Sequence, residues 1–356
     1  MIRYGIVGYG WRAEFFLRLA ALMPDRFAVS AVVTRTPENR RLVAERFGVP
    51  TSADPTDLGK TDRPDFVVTC VPRDANPGLI DTLVDLALPV LSETPPAADA
   101  AAMRALWSRV GSKGLVQVAE QYLLLPDHAA RRAVIAQGVI GRPTSVQVSS
   151  THGYHAVSMI RGLLGVGFEP VTVRGSAFTA PLTDPLSRDG WSGDDTTHDR
   201  TTTIATLDFG GRSGLYDFTD NQWWNPLRRR RIVVRGERGE IVDDRVVRLV
   251  DARTPVESQL LRREVGRDLN LEGFDLDHIS FAGAVVYRND YFGARLCDEE
   301  IAIATMLSRM GEWCRGDSPP PYSLADACQD HLIALAIEQS VSSGMPVTTT
   351  REAWAS

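Results

Sequence analysis

Met1-Ile-Arg-Tyr-Gly-Ile-Val-Gly-Tyr-Gly-Trp-Arg-Ala13 is the stretch on which the reading of this chain turns. An apolar run closing on Ile6 and Val7 ends in Gly8-x-Gly10-x-x-Ala13, and Phe15, Phe16, Leu17, Leu19, Ala20 and Leu22 follow at helical spacing. Strand, glycine turn, helix is the order that a dinucleotide fingerprint requires. Gly8 permits the tight turn, Gly10 lets the backbone approach a pyrophosphate, and Ala13 lets helix and strand pack closely. The unpaired N–H groups and the dipole at the head of the helix favour phosphate charge there. Trp11 and Arg12, inside the turn, are assigned with Gly8 and Gly10 to the cofactor.

The next apolar run, 27–33, predicts a second strand that ends in Thr34-Arg35-Thr36. An acidic residue at this strand end would accept the ribose 2′-hydroxyl and select NAD. None is present. A hydroxyl and a guanidinium, with Arg40 and Arg41 a helical turn further on, suit a 2′-phosphate better. The expected cofactor is therefore NADP, with NAD as the alternative, and Thr34 and Arg35 as its ribose-end contacts.

Composition sets the frame. At 356 residues the chain exceeds a usual single core and predicts two domains, 1–121 and 122–356. Its hydrophobic content of 44% and charged content of 24% are those of an ordinary globular protein. The net charge of −6 disfavours nucleic acid and anionic membranes as partners. No apolar run approaches the roughly 20 residues of a membrane span, and a cytoplasmic location is expected. Cys70, Cys297, Cys314 and Cys328 lack metal-binding spacing and read as reduced, buried thiols.

Through the first third, predicted strands at 27–33, 65–71, 90–92 and 115–119 alternate with predicted helices at 37–47, 76–88 and 97–110. That alternation predicts a doubly wound parallel sheet, whose ligands lie at the carboxyl ends of the strands. The rule places Val71, Pro72, Glu93, Thr94 and Glu120 on the binding rim, with Tyr122 beside them. After a helix at 127–137, strands dominate: 144–150, 171–180, 201–209, 213–218, 231–235, 240–242 and 246–250. Helices at 155–164, 298–315 and 324–344 complete an α/β domain with a large, mostly antiparallel open sheet.

The chain resembles the Gfo/Idh/MocA family of glucose-fructose oxidoreductase and inositol dehydrogenase relatives. Similar stretches are Tyr4-Gly-Ile-Val-Gly-Tyr-Gly10, residues 34–48, Arg63-Pro-Asp-Phe-Val-Val-Thr-Cys-Val-Pro72, Val90-Leu-Ser-Glu-Thr-Pro95, Ala136-Gln-Gly-Val-Ile-Gly141, and 323–327 through 343–347. The resemblance implies a Rossmann domain followed by a domain whose open sheet serves as an oligomer interface, in a homodimer or homotetramer. It also implies hydride transfer between NAD(P) and a hydroxyl of a sugar, cyclitol or similar small molecule.

Two departures bear on the chemistry. The family's Glu-Lys-Pro reads Glu93-Thr94-Pro95 here, and the family's Asp four residues before its His reads Thr151, leaving His155 alone. Hydride removal requires a proton to move on the adjacent oxygen, and a positioned acid/base contributes roughly 10²–10⁴-fold in rate. His155 is the first candidate, because an imidazole titrates near neutral pH. His152, Tyr154 and Tyr122 are its supporting candidates. The missing lysine leaves two alternatives open: a glycoside lyase or hydrolase that retains its cofactor and oxidises the sugar transiently, and a non-catalytic dinucleotide or sugar sensor. Residues 187–200 read as a polar loop, either closing over substrate through Trp191 or a mobile insertion. Asp194, Asp195, His198 and Asp199 within it are not expected to bind metal. Trp223-Trp224 with Arg228–Arg231 reads as an interface or a solvated strand edge.

Overall fold

The opening stretch folds as strand β1 (Ile2–Val7) and helix α1 (Trp11–Leu22) in the computed structural model, which describes residues 1–60, 63–266 and 273–355. Between them Gly8 adopts φ +104°, and a Cβ on it would lie 2.1 Å from the Cys70 carbonyl oxygen. Only glycine meets both demands. Gly10 serves differently: nothing stands within 4 Å of its absent Cβ, so it leaves open space at the head of α1.

The first sheet continues through β2 (Phe27–Val33), α2 (Pro37–Phe47), β3 (Thr51–Ser52), β4 (Phe66–Thr69), α3 (Asn76–Asp85), β5 (Val90–Ser92), α4 (Ala100–Val110) and β6 (Val116–Val118). Its strands are parallel in the order β3-β2-β1-β4-β5-β6. The order reverses between β1 and β4, so the glycine turn lies at the topological switch point. Two predicted helices come out shorter. The Asp99 side chain accepts from Ala102 N at 2.8 Å, so α4 starts at Ala100 rather than 97. The chain turns at Ala87 (φ 54°), so α3 stops at Asp85 rather than 88.

The second sheet has eleven strands. From one edge to the other they are Ala284–Arg288, Asp275–Phe281, Pro255–Val265, Arg245–Leu249, Gly239–Val242, Arg231–Gly236, Pro143–Ser149, Ser213–Thr219, Thr197–Asp208, Thr172–Thr183 and Val347–Thr348. All pairs are antiparallel except Pro143–Ser149 with Ser213–Thr219. Gly210 and Gly211, both at positive φ, make the two-residue turn between two of the strands. Helices α5 (Pro126–Ala136), α6 (Gly153–Leu164), α7 (Asp298–Arg315) and α8 (Leu324–Ser343) complete the chain, and α5, α6 and α8 pack on the sheet. Phe178, Ile204, Val247 and Val285 remain exposed on its strands.

Two expectations are corrected here. Residues 255–288 carry three strands that alternation did not reveal, because in Pro255–Val265 only Leu260 is buried and polar, charged and exposed apolar residues mix in the rest. Residues 187–200 are not an open loop. Leu186–Ser187 pairs with Gly190–Trp191 in a short hairpin, and Thr197 begins a long strand.

The end of the chain returns to the first sheet. Helix α7 packs on α1, β1 and β4, and α8 on α4 and β6. Tyr322 O accepts from Val118 N at 2.9 Å, extending the backbone pairing past β6. Trp354 is buried edge-on to Trp107 at 6.4 Å and donates from Nε1 to Gln329 Oε1 at 3.0 Å. One apolar core therefore runs without a break from Ile6 and Val68 through Ile301 and Met306 to Val146 and Leu207. Of the cysteines, all free, Cys328 is buried but Cys297 is exposed at the head of α7, against expectation.

Candidate active site

Where the carboxyl ends of the first sheet meet the head of α6, the two domains bring their polar residues together. His152 stands just before α6, and Gly153 N donates to the Tyr216 hydroxyl at 3.2 Å, which anchors the helix to the second sheet. One turn in, His155 points at the end of β6. Its Nδ1 lies 2.5 Å from Glu120 Oε2, with both side chains buried. Glu120 Oε1 accepts from Tyr122 N at 3.2 Å, which fixes the carboxylate from the other side. An ionised Glu120 is an acceptor only, so the His155 proton sits on Nδ1. Nε2 of His155 has no hydrogen-bond partner among the described residues.

Aromatic rings enclose this pair. Tyr154 and Tyr122 lie 4.3 and 4.5 Å from the His155 ring, and His152 5.2 Å. The Tyr154 hydroxyl donates to the Thr94 carbonyl at 3.3 Å. Burial pushes the Tyr154 and Tyr122 phenols up, so both remain protonated and can donate but not accept a proton. Burial, and then the charge of His155, push His152 down to about 3. A group so weakly basic is a poor proton acceptor near pH 7. Of the four residues named from sequence, only His155 has the partner and the free nitrogen that a base needs.

Trp223, Phe218 and Tyr216 were not singled out for the site. Trp223 packs edge-on to His152 at 4.7 Å, Phe218 lies 6.2 Å from it, and Trp223 Nε1 donates to Thr151 Oγ1 at 3.3 Å. Thus Trp223 faces inward rather than forming an interface or strand edge, and Thr151, fully buried, holds it. The signal was present: Tyr216 and Phe218 alternate on one face of a strand, the face that meets α6.

The residues expected from sequence to meet a dinucleotide lie at the ends of the first sheet's strands. Gly8, Gly10, Trp11 and Arg12 lie at the β1–α1 turn, Thr34 and Arg35 after β2, Val71 and Pro72 after β4, and Glu93 and Thr94 after β5. No side chain caps α1, which leaves its first N–H groups for a ligand. Arg12 stands 3.5 Å from Glu93 Oε1 and 2.9 Å from Glu299 Oε1. Glu93 Oε2 is buried without a partner, and burial raises this carboxyl while Arg12 opposes the rise. The open space at Gly10, the uncapped helix and the orphaned Glu93 oxygen all fit a dinucleotide. At the ribose end, Arg40 donates to the carbonyls of Thr34 and Arg35, both at 2.8 Å, and Arg41 is 3.8 Å from Glu45. Of these three arginines, Arg35 makes no side-chain hydrogen bond or ion pair among the described residues. Trp191 is 70% exposed, and Arg188 in the same hairpin stacks over Trp11 at 4.3 Å. Asp194 and His198 approach to 3.3 Å on the exposed surface.

Residues 2–121 match the GFO/IDH/MocA family model, described as oxidoreductase family, NAD-binding Rossmann fold. No curated protein sequence matches the chain. Several solved structures share its fold over nearly their whole length. A myo-inositol dehydrogenase from Corynebacterium glutamicum is 17% identical with a TM-score of 0.67, over 98% of this chain and 99% of that one. A levoglucosan dehydrogenase in complex with NADH and levoglucosan is 18% identical with a TM-score of 0.69, over 98% and 99%. The WlbA dehydrogenase from Bordetella pertussis, in complex with NADH and UDP-GlcNAcA, is 18% identical with a TM-score of 0.64, over 98% and 99%.

Proposed function

We propose, from the premise that the N-terminal domain belongs to the GFO/IDH/MocA oxidoreductase family, that this protein oxidises a hydroxyl of a sugar, cyclitol or related polyol with His155 as the proton acceptor. The observation that carries the reading is the buried 2.5 Å contact between His155 Nδ1 and Glu120 Oε2. When bound, the dinucleotide supplies the hydride acceptor. His155 Nε2 takes the hydroxyl proton, and Glu120 holds the ring in one tautomer and stabilises the imidazolium that forms. Tyr122, kept protonated by burial, donates a hydrogen bond to a substrate oxygen, while Tyr154, whose proton is on the Thr94 carbonyl, packs against the His155 ring. Thr94 replaces a lysine of the family pattern and leaves proton transfer to His155. The fold neighbours that carry NADH with levoglucosan or a sugar nucleotide support a carbohydrate-type substrate.

The first test is the mass of any dinucleotide released from purified protein, followed by absorbance near 340 nm with sugars, cyclitols and glycosides. His155→Ala should lower kcat by about 10²–10⁴-fold with dinucleotide affinity nearly unchanged. An unchanged kcat removes His155 from the reaction. Because a cation that orders the reacting hydroxyl is missing at Thr94, transient oxidation is the second reading. It requires product to form while absorbance at 340 nm stays flat, with the dinucleotide retained through purification. A retained dinucleotide with no product from any compound makes the protein a sensor.

A further inference from the structure

A cavity of about 690 Å³ lies between α5 and the segments 229–232, 242–245 and 259–262. Tyr122 and Ser150 line it, and the Tyr122 ring lies 4.5 Å from that of His155. Its charges do not pair off. Arg262 binds both available carboxylates at the mouth, Asp127 at 2.5 Å and Asp298 at 2.8 Å. Asp243 Oδ1 is occupied by Ile232 N at 2.9 Å, and Asp244 Oδ2 by Gln259 Nε2 at 2.6 Å. Arg245 lies on Glu257.

Three guanidinium groups make no ion pair, although Asp243 and Asp244, held by neutral donors, keep their charge in the same cavity. Arg131, Arg229 and Arg230 line the cavity, and none has a carboxylate within 4.0 Å among the described residues. Arg131 is only 6% exposed. It donates from Nε to the Asp243 carbonyl at 2.6 Å and from Nη1 to His128 Nδ1 at 2.8 Å, both neutral acceptors. Burial and the nearby arginine hold His128 well below its ordinary range, so it brings no compensating charge. Arg230 donates to the Trp223 carbonyl at 3.1 Å and acts electrostatically on the Tyr122 hydroxyl. Arg229 makes no side-chain hydrogen bond among the described residues. Only Arg131 of the three is buried, and Asp127, Asp243 and Asp244 act on it from beyond ion-pair distance; planar guanidinium groups match carboxylate and phosphate oxygens two at a time.

We infer that Arg131, Arg229 and Arg230 form a subsite for an anionic group, a phosphate or a carboxylate, carried by the same substrate whose hydroxyl His155 deprotonates. The inference rests on the proposed role of His155 and adds the substrate class: a charged sugar or polyol rather than a neutral one. Tyr122 separates the reacting end of such a molecule from its charged end.

The test is calorimetric titration of NADH-saturated protein with glucose, glucuronate and glucose 6-phosphate, and with inositol and inositol monophosphate. Wild type should bind an anionic member of a set at least tenfold more tightly than its neutral parent. Whether glucuronate or the phosphates gain identifies the group. In Arg229→Gln/Arg230→Gln, both exposed positions, the ratio should fall at least tenfold. Thermal unfolding of the variant checks that the fold persists, and Arg131→Lys provides a second, charge-conserving probe that loses the fork geometry. No anionic preference in wild type, or a preference that survives in the double variant, overturns the subsite. Absorbance at 340 nm in parallel samples loaded with the oxidised dinucleotide instead of NADH judges the redox reading separately. Anionic sugars that bind with the expected preference but reduce no dinucleotide keep the subsite and strike out the dehydrogenase.

Discussion

His152 shows how a single side chain ties the site to stability. Packed among Trp223, Phe218 and Tyr154, with Nδ1 buried and unpartnered, it is held neutral and pushed down to about 3. An unfolded histidine titrates near 6.5, so below that pH the unfolded chain binds a proton that the folded chain refuses. The contribution is complete above about pH 6.5 and is lost progressively as pH falls toward 3, reaching about 2 kcal/mol at pH 5. Thermal melts from pH 7 to 4.5 should therefore show falling Tm, and His152→Phe, which keeps an aromatic ring there, should make the slope shallower. Identical slopes would mean that His152 protonates freely in the fold. Arg35 bears on selectivity instead. With Arg40 tied to backbone carbonyls, Arg35 is the cation left to meet a 2′-phosphate. Arg35→Ala should weaken NADP binding about tenfold or more, in keeping with loss of a charge-assisted bond, and spare NAD. Equal loss for both cofactors, measured by fluorescence titration, refutes that role.

At the scale of elements, the last residues of the chain act as a clasp. Trp354 inserts against Trp107 of α4 and Gln329 of α8, and Glu352 accepts two hydrogen bonds from Arg104, at 2.6 and 2.8 Å. Trp354→Ala should cost about 3–5 kcal/mol, the range for truncating a buried aromatic. In urea titrations the midpoint should drop with little change in m. A midpoint within error of wild type would show the tail to be loosely held. Elements of this kind were the least legible in the sequence. β1, α1, β2 and the buried β4 announced themselves through period and turn chemistry, and α7 matched its expected limits because Cys297 caps it and Gly316 stops it. Strands exposed on both faces, such as Pro255–Val265, carry no apolar alternation to read. The hairpin at Leu186–Trp191 is too short to show one.

For the whole molecule, the parallel sheet and the mostly antiparallel second sheet were both legible in sequence. The site was legible as two separate halves. Sequence order named the rim residues, Glu120 among them, and His155, but it did not pair Glu120 with His155, and it read Trp223 as an interface or strand edge. Their pairing with His155 and Thr151 depends on how the sheets face each other, and local pattern carries no information on that. The same limit hid the three unpaired arginines, which come from α5 and from a segment about a hundred residues later.

The placement of α7 and α8 on the first sheet has a consequence for how the protein is made. A ribosome delivers the dinucleotide-binding half first, yet the helix that seals β1 and β4 is encoded near the other end. At about 5–20 residues per second, the nascent half waits on the order of ten seconds or more with that apolar face bare. Its maturation thus waits on the synthesis of α7. Exchanging this half between proteins as a cassette would require carrying its distant lid along.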